Sequence, residues 1–155
     1  MLLVEDSPKD LELTLAALAK CQIANDIVVA RDGVEALDYI LMRGQHANRP
    51  PGDPAVVLLD LKLPRVDGIE VLAQIKGDPD RRHIPVVMLT SSREERDLVR
   101  SYDLGVNAFV VKPVDFGAFF DAIQDLGMFW AVLNEPPPRR GADGGLRHGR
   151  IRPGE

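Results

Sequence analysis

Ala55-Val56-Val57-Leu58-Leu59 is an unbroken apolar run that ends on Asp60, with Leu61-Lys62-Leu63-Pro64 and Asp67-Gly68 just beyond. A short continuous apolar run bounded by turn formers reads as a strand buried on both faces, as in a parallel sheet. Four further runs of the same kind are Leu2–Val4, Ile27–Ala30, Pro85–Leu89 and Ala108–Val111. Between them lie stretches with helical periodicity. Ser7 with Asp10, Asp32 with Glu35, Asp67 with Glu70 and Ser92 with Glu95 each set a capping side chain three residues before an acid, which signals a helix start. Pro8 falls at the first helical position, where its missing N–H is harmless. Leu11, Leu15, Leu18 and Ala19 mark the expected buried face of that helix, and Gly105 follows Leu104 at an expected helix end. The strand–helix unit recurs five times. Short connections and right-handed crossovers make this a doubly wound α/β sandwich with a parallel sheet. The long connection from Gly44 to Pro54 is rich in turn formers; a loop of that length is either functional or simply mobile, and the plainer reading, mobile, is preferred.

Composition sets the frame. The chain has 155 residues, 45% hydrophobic and 28% charged, with a net charge of −5. Residues 134–155 hold four Pro, five Gly and five Arg with almost no large apolar side chain. Such a segment cannot offset its ordering entropy, so the expected division is one domain over 1–133 and a disordered Pro/Gly/Arg-rich tail over 134–155. One Cys, Cys21, excludes a disulfide framework and a cysteine metal cluster, and is read as a packing residue. No apolar stretch reaches the roughly 18 residues that span a membrane, and Met1–Val4 runs straight into Glu5-Asp6 without an export signal. The expectation is a cytoplasmic protein without membrane or nucleic-acid partners.

In an open α/β sheet, ligands bind beyond the carboxyl ends of the strands, where strand order reverses. The residues expected there are Glu5 and Asp6, then Asp60, then Thr90, Ser91 and Ser92, then Lys112 and Pro113. Singly, each has a plain use as a helix cap or a turn residue. Together they place three carboxylates, a hydroxyl and an amine at one sheet edge. Oxygen-only ligands at an open site suit a hard cation, Mg²⁺, with several retained waters. A carboxylate nucleophile, that cation, a Lys and a hydroxyl donor make a phosphoryl-transfer site. His46, His83 and His148 show no ligand or triad spacing. Neither a G-x-G-x-x-G turn nor a G-x-x-x-x-G-K-[ST] loop is present.

Glu5-Asp6, Asp60, Thr90 and Lys112-Pro113, with Leu63-Pro64 and Asp67-Gly68, resemble the receiver domain of two-component response regulators over about residues 1–130. The resemblance implies a flavodoxin-like fold with strand order 2-1-3-4-5 and helices on both faces. It implies Asp60 as phosphoacceptor from a phosphohistidine on a sensor histidine kinase. Asp6, Asp60 and the Lys62 backbone carbonyl would hold Mg²⁺, with Glu5 acting through a water. Lys112 would contact the phosphoryl group, Thr90 and Phe109 would be the switch residues, and a cis peptide bond would precede Pro113. Phe109 departs from the Tyr that many receivers carry. Lys62 and Ser92, near the site mouth, would tune self-hydrolysis. The protein is then no enzyme beyond its own phosphoryl transfer and autodephosphorylation.

Ser101-Tyr102-Asp103-Leu104, Asn107, Val114-Asp115-Phe116 and Phe129-Trp130 are similar to small regulators that pair with phytochrome-type kinases. That subgroup implies a bacteriophytochrome kinase and a downstream protein partner, and it includes dimers. The last helix, with Phe119, Phe120, Phe129 and Trp130, carries more apolar surface than one core stripe needs, so a homodimer through it is expected, with Leu98, Tyr102, Phe129 and Trp130 on the contact face. Two alternatives stand beside this. A phosphatase of the haloacid dehalogenase type wants a second Asp two residues after the nucleophile, where this chain has Lys62. A receiver-like scaffold that is never phosphorylated would not need the acidic pair, Asp60, Thr90 and Lys112 together.

Overall fold

The structure, a computed structural model, describes residues 1–20, 26–91 and 100–125. Its elements are β1 (Leu2–Val4), α1 (Pro8–Ala19), β2 (Val28–Ala30), α2 (Gly33–Ile40), a 3-10 turn at Gly44–His46, β3 (Val57–Asp60), α3 (Gly68–Gly77), β4 (Val86–Thr90), the helical residues 100–103 (α4), β5 (Ala108–Val111) and α5 (Phe116–Asp125). All strand pairs are parallel, in the order β2-β1-β3-β4-β5. This is the flavodoxin-like order that the resemblance implies.

The period-2 alternation of the strands divides the core in two. Leu3, Leu58, Val87, Leu89 and Val110 face one side, where Leu11 and Leu18 of α1 and Phe119 of α5 cover them. Leu2, Val4, Val57, Leu59, Val86 and Met88 face the other, covered by Leu37 and Ile40 of α2 and Leu72 and Ile75 of α3. β1 is apolar and buried throughout, and β3 and β4 are buried throughout and apolar up to their last residues, Asp60 and Thr90, which explains their continuous runs. Each such side chain contributes about 1.5–3 kcal/mol of transfer free energy.

The capping residues fix where the helices begin. Ser7, Asp32 and Asp67 accept the N–H of Asp10, Glu35 and Glu70. The pair Ser92 and Glu95 lies outside the described residues. The buried face of α1 is Leu11, Thr14, Ala17 and Leu18, not one that includes Ala19, which is exposed. Thr14 sits one turn above Leu11 and below Leu18, and its polarity hides it from an apolar search.

The connection from Gly44 to Pro54 is built rather than loose. Arg49 donates to the carbonyls of Tyr39 (2.6 Å), Pro50 and Gly52 (2.9 Å each), and its guanidinium lies 4.3 Å over the Tyr39 ring. Asp53 pairs with His83 at 2.9 Å. One planar donor thus ties the loop to the end of α2.

Candidate functional site

Strand order sets the position of the site. The chain passes from β1 through α1 to β2 on one side, then crosses through α2 to β3 on the other side of β1. The reversal opens a crevice above the carboxyl ends of β1 and β3. Val4 lies opposite Leu59, so Glu5 and Asp60 follow their partners at the same edge. Asp60 is the last residue of β3, and Thr90 the last of β4. The ladder continues past the strands through Leu61 N–H to the Leu89 carbonyl (2.9 Å) and Lys112 N–H to the Thr90 carbonyl (2.7 Å). These bonds hold the backbones that carry the site.

Glu5, Asp6 and Asp60 each offer a carboxylate oxygen, all within 4.8 Å of one another. Glu5, Asp60 and Thr90 are buried, while Asp6 is exposed at the mouth. Lys112 reaches in from the end of β5. Its Nζ is 2.7 Å from Glu5 Oε2, 3.0 Å from Asp60 Oδ2 and 3.1 Å from Asp10 Oδ2. The Glu5 contact is an ion pair without directed hydrogen-bond geometry. The second oxygens are also used: Glu5 Oε1 accepts Ser7 N–H at 3.1 Å and Asp60 Oδ1 accepts Lys62 N–H at 3.3 Å.

Electrostatics follow from this packing. Burial pushes the Glu5 carboxyl up to about 7, with the Asp60 carboxylate adding to the rise and Lys112 opposing it. Burial also works against the Lys112 ammonium, but the Glu5 and Asp60 carboxylates outweigh it and hold Lys112 above its ordinary value. The lysine is therefore a fixed positive charge.

Close backbone approach is a further requirement. A Cβ on Gly68 would lie 2.1 Å from the Asp60 carbonyl oxygen and 2.9 Å from Leu61 Cα. Only glycine lets the start of α3 press against the loop that carries Asp60. The Lys112–Pro113 peptide bond is cis.

The structure thus gathers Glu5, Asp6, Asp60 and Lys112 at one edge, with Thr90 ending the strand between β3 and β5. Lys62 joins them through its N–H. Phe109 lies apart, half-buried on β5, with its ring edge-on to Tyr102 at 5.0 Å. Both border an open groove of about 530 Å³ together with Val111 and Ala118. Ser92, Leu98, Phe129 and Trp130 lie outside the described residues, as does Cys21. His46 meets Glu35 at 3.9 Å and His83 meets Asp53 at 2.9 Å; neither joins the cluster. Asp10 is the partner of Lys112 that sequence reading missed. It was assigned to the helix cap, and its contact spans 102 positions. Nothing local in the sequence announces it.

The donor set fits a hard divalent cation: three carboxylates, oxygen donors only, at an open mouth. Beside it stand a buried carboxylate able to act as nucleophile and a fixed ammonium able to bind an anion. Among the described residues no helix is long and apolar enough to cross a membrane.

Known proteins are similar to this chain. The family model for the response regulator receiver domain matches residues 1–124. Response regulator Rcp1 of Synechocystis sp. is 41% identical over 130 residues, covering 84% of this chain and 87% of that protein. Its Mn²⁺-bound crystal structure superposes with a TM-score of 0.70 at 39% identity, covering 88% of this chain and 97% of that one. The bacteriophytochrome response regulator AtBRR is 75% identical, with a TM-score of 0.79, covering 86% of this chain and 96% of that one. The phosphorylated cyanobacterial phytochrome response regulator RcpA is 42% identical, with a TM-score of 0.70, covering 84% of this chain and 91% of that one. An acidic crevice at the β1–β3 reversal, a lysine fixed across it and a family match over nearly all the described residues lead to one identification: this chain belongs to the response regulator receiver domain family.

Proposed function

We propose that this protein is a single-domain phosphorylation switch, with Asp60 as acceptor from a sensor histidine kinase of the bacteriophytochrome type. The observation that carries this is the Lys112 ammonium held 3.0 Å from Asp60 Oδ2 beside a cluster of three carboxylates. An Asp60 oxygen attacks phosphorus, the P–N bond of the phosphohistidine breaks, and imidazole leaves with the electron pair. Asp6, Asp60 and the Lys62 carbonyl would hold Mg²⁺, with Glu5 linked through a water. The ion would neutralise phosphoryl oxygens. Lys112 binds the new phosphoryl group, and the Thr90 hydroxyl turns to donate to it. Phe109 then moves inward from its place against Tyr102. Autodephosphorylation resets the switch.

The likeness to phytochrome-linked regulators supports that kinase class. Output would pass through the face of α4, β5 and α5 to a second copy of the chain and to a downstream protein. Exposed Tyr102 and Val111 beside the groove support a protein-binding face. A receiver domain over 1–133, a tail over 134–155 and a cytoplasmic location complete the reading.

Incubation with Mg²⁺ and acetyl phosphate, followed by intact-protein mass spectrometry, tests it. Wild type should gain one phosphoryl group and Asp60→Asn none. Labelling that survives Asp60→Asn, or none in wild type, defeats the assignment. Replacing Mg²⁺ with EDTA should abolish the label.

A further inference from the structure

Asp10 has no part in the acceptor chemistry as proposed, yet it is aimed at it. It is the third helical residue of α1, and its N–H is taken by the Ser7 hydroxyl at 3.3 Å. In a capping box the acid at this position reaches back to the N-cap N–H. Here that N–H is occupied, because Ser7 donates it to Glu5 Oε1 at 3.1 Å. The Asp10 carboxylate turns instead to Lys112, with Oδ2 3.1 Å from Nζ. It is thus diverted from the helix to the site.

The diversion matters because of donor arithmetic. An ammonium has three hydrogens. Asp60 and Asp10 each take one in a hydrogen bond, at 3.0 and 3.1 Å, and Glu5 lies against Nζ at 2.7 Å as an ion pair, so three carboxylates crowd the ammonium before a phosphoryl group arrives. The three partners are not equivalent. The Glu5 and Asp60 side chains are 0% and 8% exposed, whereas that of Asp10 is 38% exposed. Water can replace the ammonium at Asp10 but not at buried Glu5, so Asp10 is the partner given up most readily. The first turn of α1 favours its negative charge, and Asp10 stands outside the trio of cation ligands.

We propose that Asp10 is a positioning residue that competes with the incoming phosphoryl group for the Lys112 ammonium and so restrains phosphoryl acceptance. This rests on Asp60 being the acceptor. In the reaction with acetyl phosphate, an Asp60 oxygen bonds to phosphorus, the P–O bond of the donor breaks, and acetate leaves with the electron pair. The non-bridging oxygens then compete for the Lys112 ammonium, and Asp10, its most exposed partner, is the carboxylate that gives way.

The test compares wild type, Asp10→Asn, Asp10→Glu and Asp10→Ala. Labelling rate with acetyl phosphate and Mg²⁺ is read by mass spectrometry, and beryllofluoride affinity by calorimetry. Asn keeps the size of the side chain, and Ala serves if Asn lowers the melting temperature. Losing one competing carboxylate should speed labelling and tighten beryllofluoride binding about three- to tenfold. Asp10→Glu should return both toward wild type. In a Lys112→Met background, followed over longer labelling, the Asp10→Asn gain should vanish. A gain of equal size there would mean that Asp10 acts on the phosphoryl group directly, which overturns the proposal. So would an Asp10→Asn protein no faster than wild type while Asp60→Asn stays unlabelled. Labelling of Asp60→Asn would instead defeat the acceptor assignment itself.

Discussion

Glu5 is a carboxyl group with no exposed surface just past the end of β1, and its behaviour with pH can be worked out from that. Its pKa rises from 4.5 to about 7, burial being the main cause. A carboxyl whose folded pKa lies above its unfolded value binds more protons when folded. Its contribution to stability is complete below pH 4.5 and is lost as pH climbs to about 7. The shift corresponds to a few kcal/mol at about 1.4 kcal/mol per pH unit. We therefore expect metal-free wild type to lose stability relative to Glu5→Gln between pH 5 and 7. Urea denaturation in EDTA at several pH values reads the difference directly, and parallel stability curves for the two proteins would contradict it. The sequence places Glu5 at this edge but says nothing about its proton. That depends on total burial and on a lysine from the far end of the chain. Asp60, Asp6, Lys112 and Thr90 were legible one by one as residues at strand ends. The sharing of Lys112 with Asp10 was not, because a residue that satisfies a local pattern hides its long-range contact.

The elements that hold these residues were legible for two separate reasons. β1, β3 and β4 are sandwiched between helices, so their apolar runs are unbroken. The N-caps of α1, α2 and α3 are side chains that bond within three positions. Both signals are local. The Gly44–Pro54 connection was misread because its order comes from Arg49, whose carbonyl partners depend on the chain's path in space. The start of α3 carries a sharper requirement. A methyl group on Gly68 would meet backbone, the Asp60 carbonyl at 2.1 Å, rather than a side chain that could swing away. Gly68→Ala should destabilise the fold by about 3 kcal/mol. It should also weaken beryllofluoride binding, because the displaced backbone carries Asp60, the proposed acceptor. Urea unfolding with calorimetry measures both, and a loss under about 0.5 kcal/mol would show that α3 moves freely.

At the scale of the whole molecule, the two faces of the sheet account for nearly all the buried apolar residues, yet some apolar surface stays outside. Tyr102 is 61% exposed and Val111 36% exposed, and both line the groove beside Phe109. Their position links the outer face to the site: β5 carries Phe109 and Val111, and Lys112 follows directly at its end. Asp60 is thus joined through Lys112 to the end of a strand whose last residue, Val111, is exposed. The sequence flagged this face by its aromatic residues, but Leu98, Phe129 and Trp130 lie outside the described residues. An exposed apolar patch on a small protein is most simply satisfied by a two-fold dimer. Light scattering at micromolar concentration should then give twice the chain mass. Tyr102→Arg puts a charge on this patch of each copy and should shift the protein to monomer while labelling by acetyl phosphate is unchanged. Truncation after residue 133 should change neither the melting temperature nor the mass ratio, since the tail has too few apolar residues to join a core. A Tyr102→Arg protein that remains dimeric would place the interface on another face.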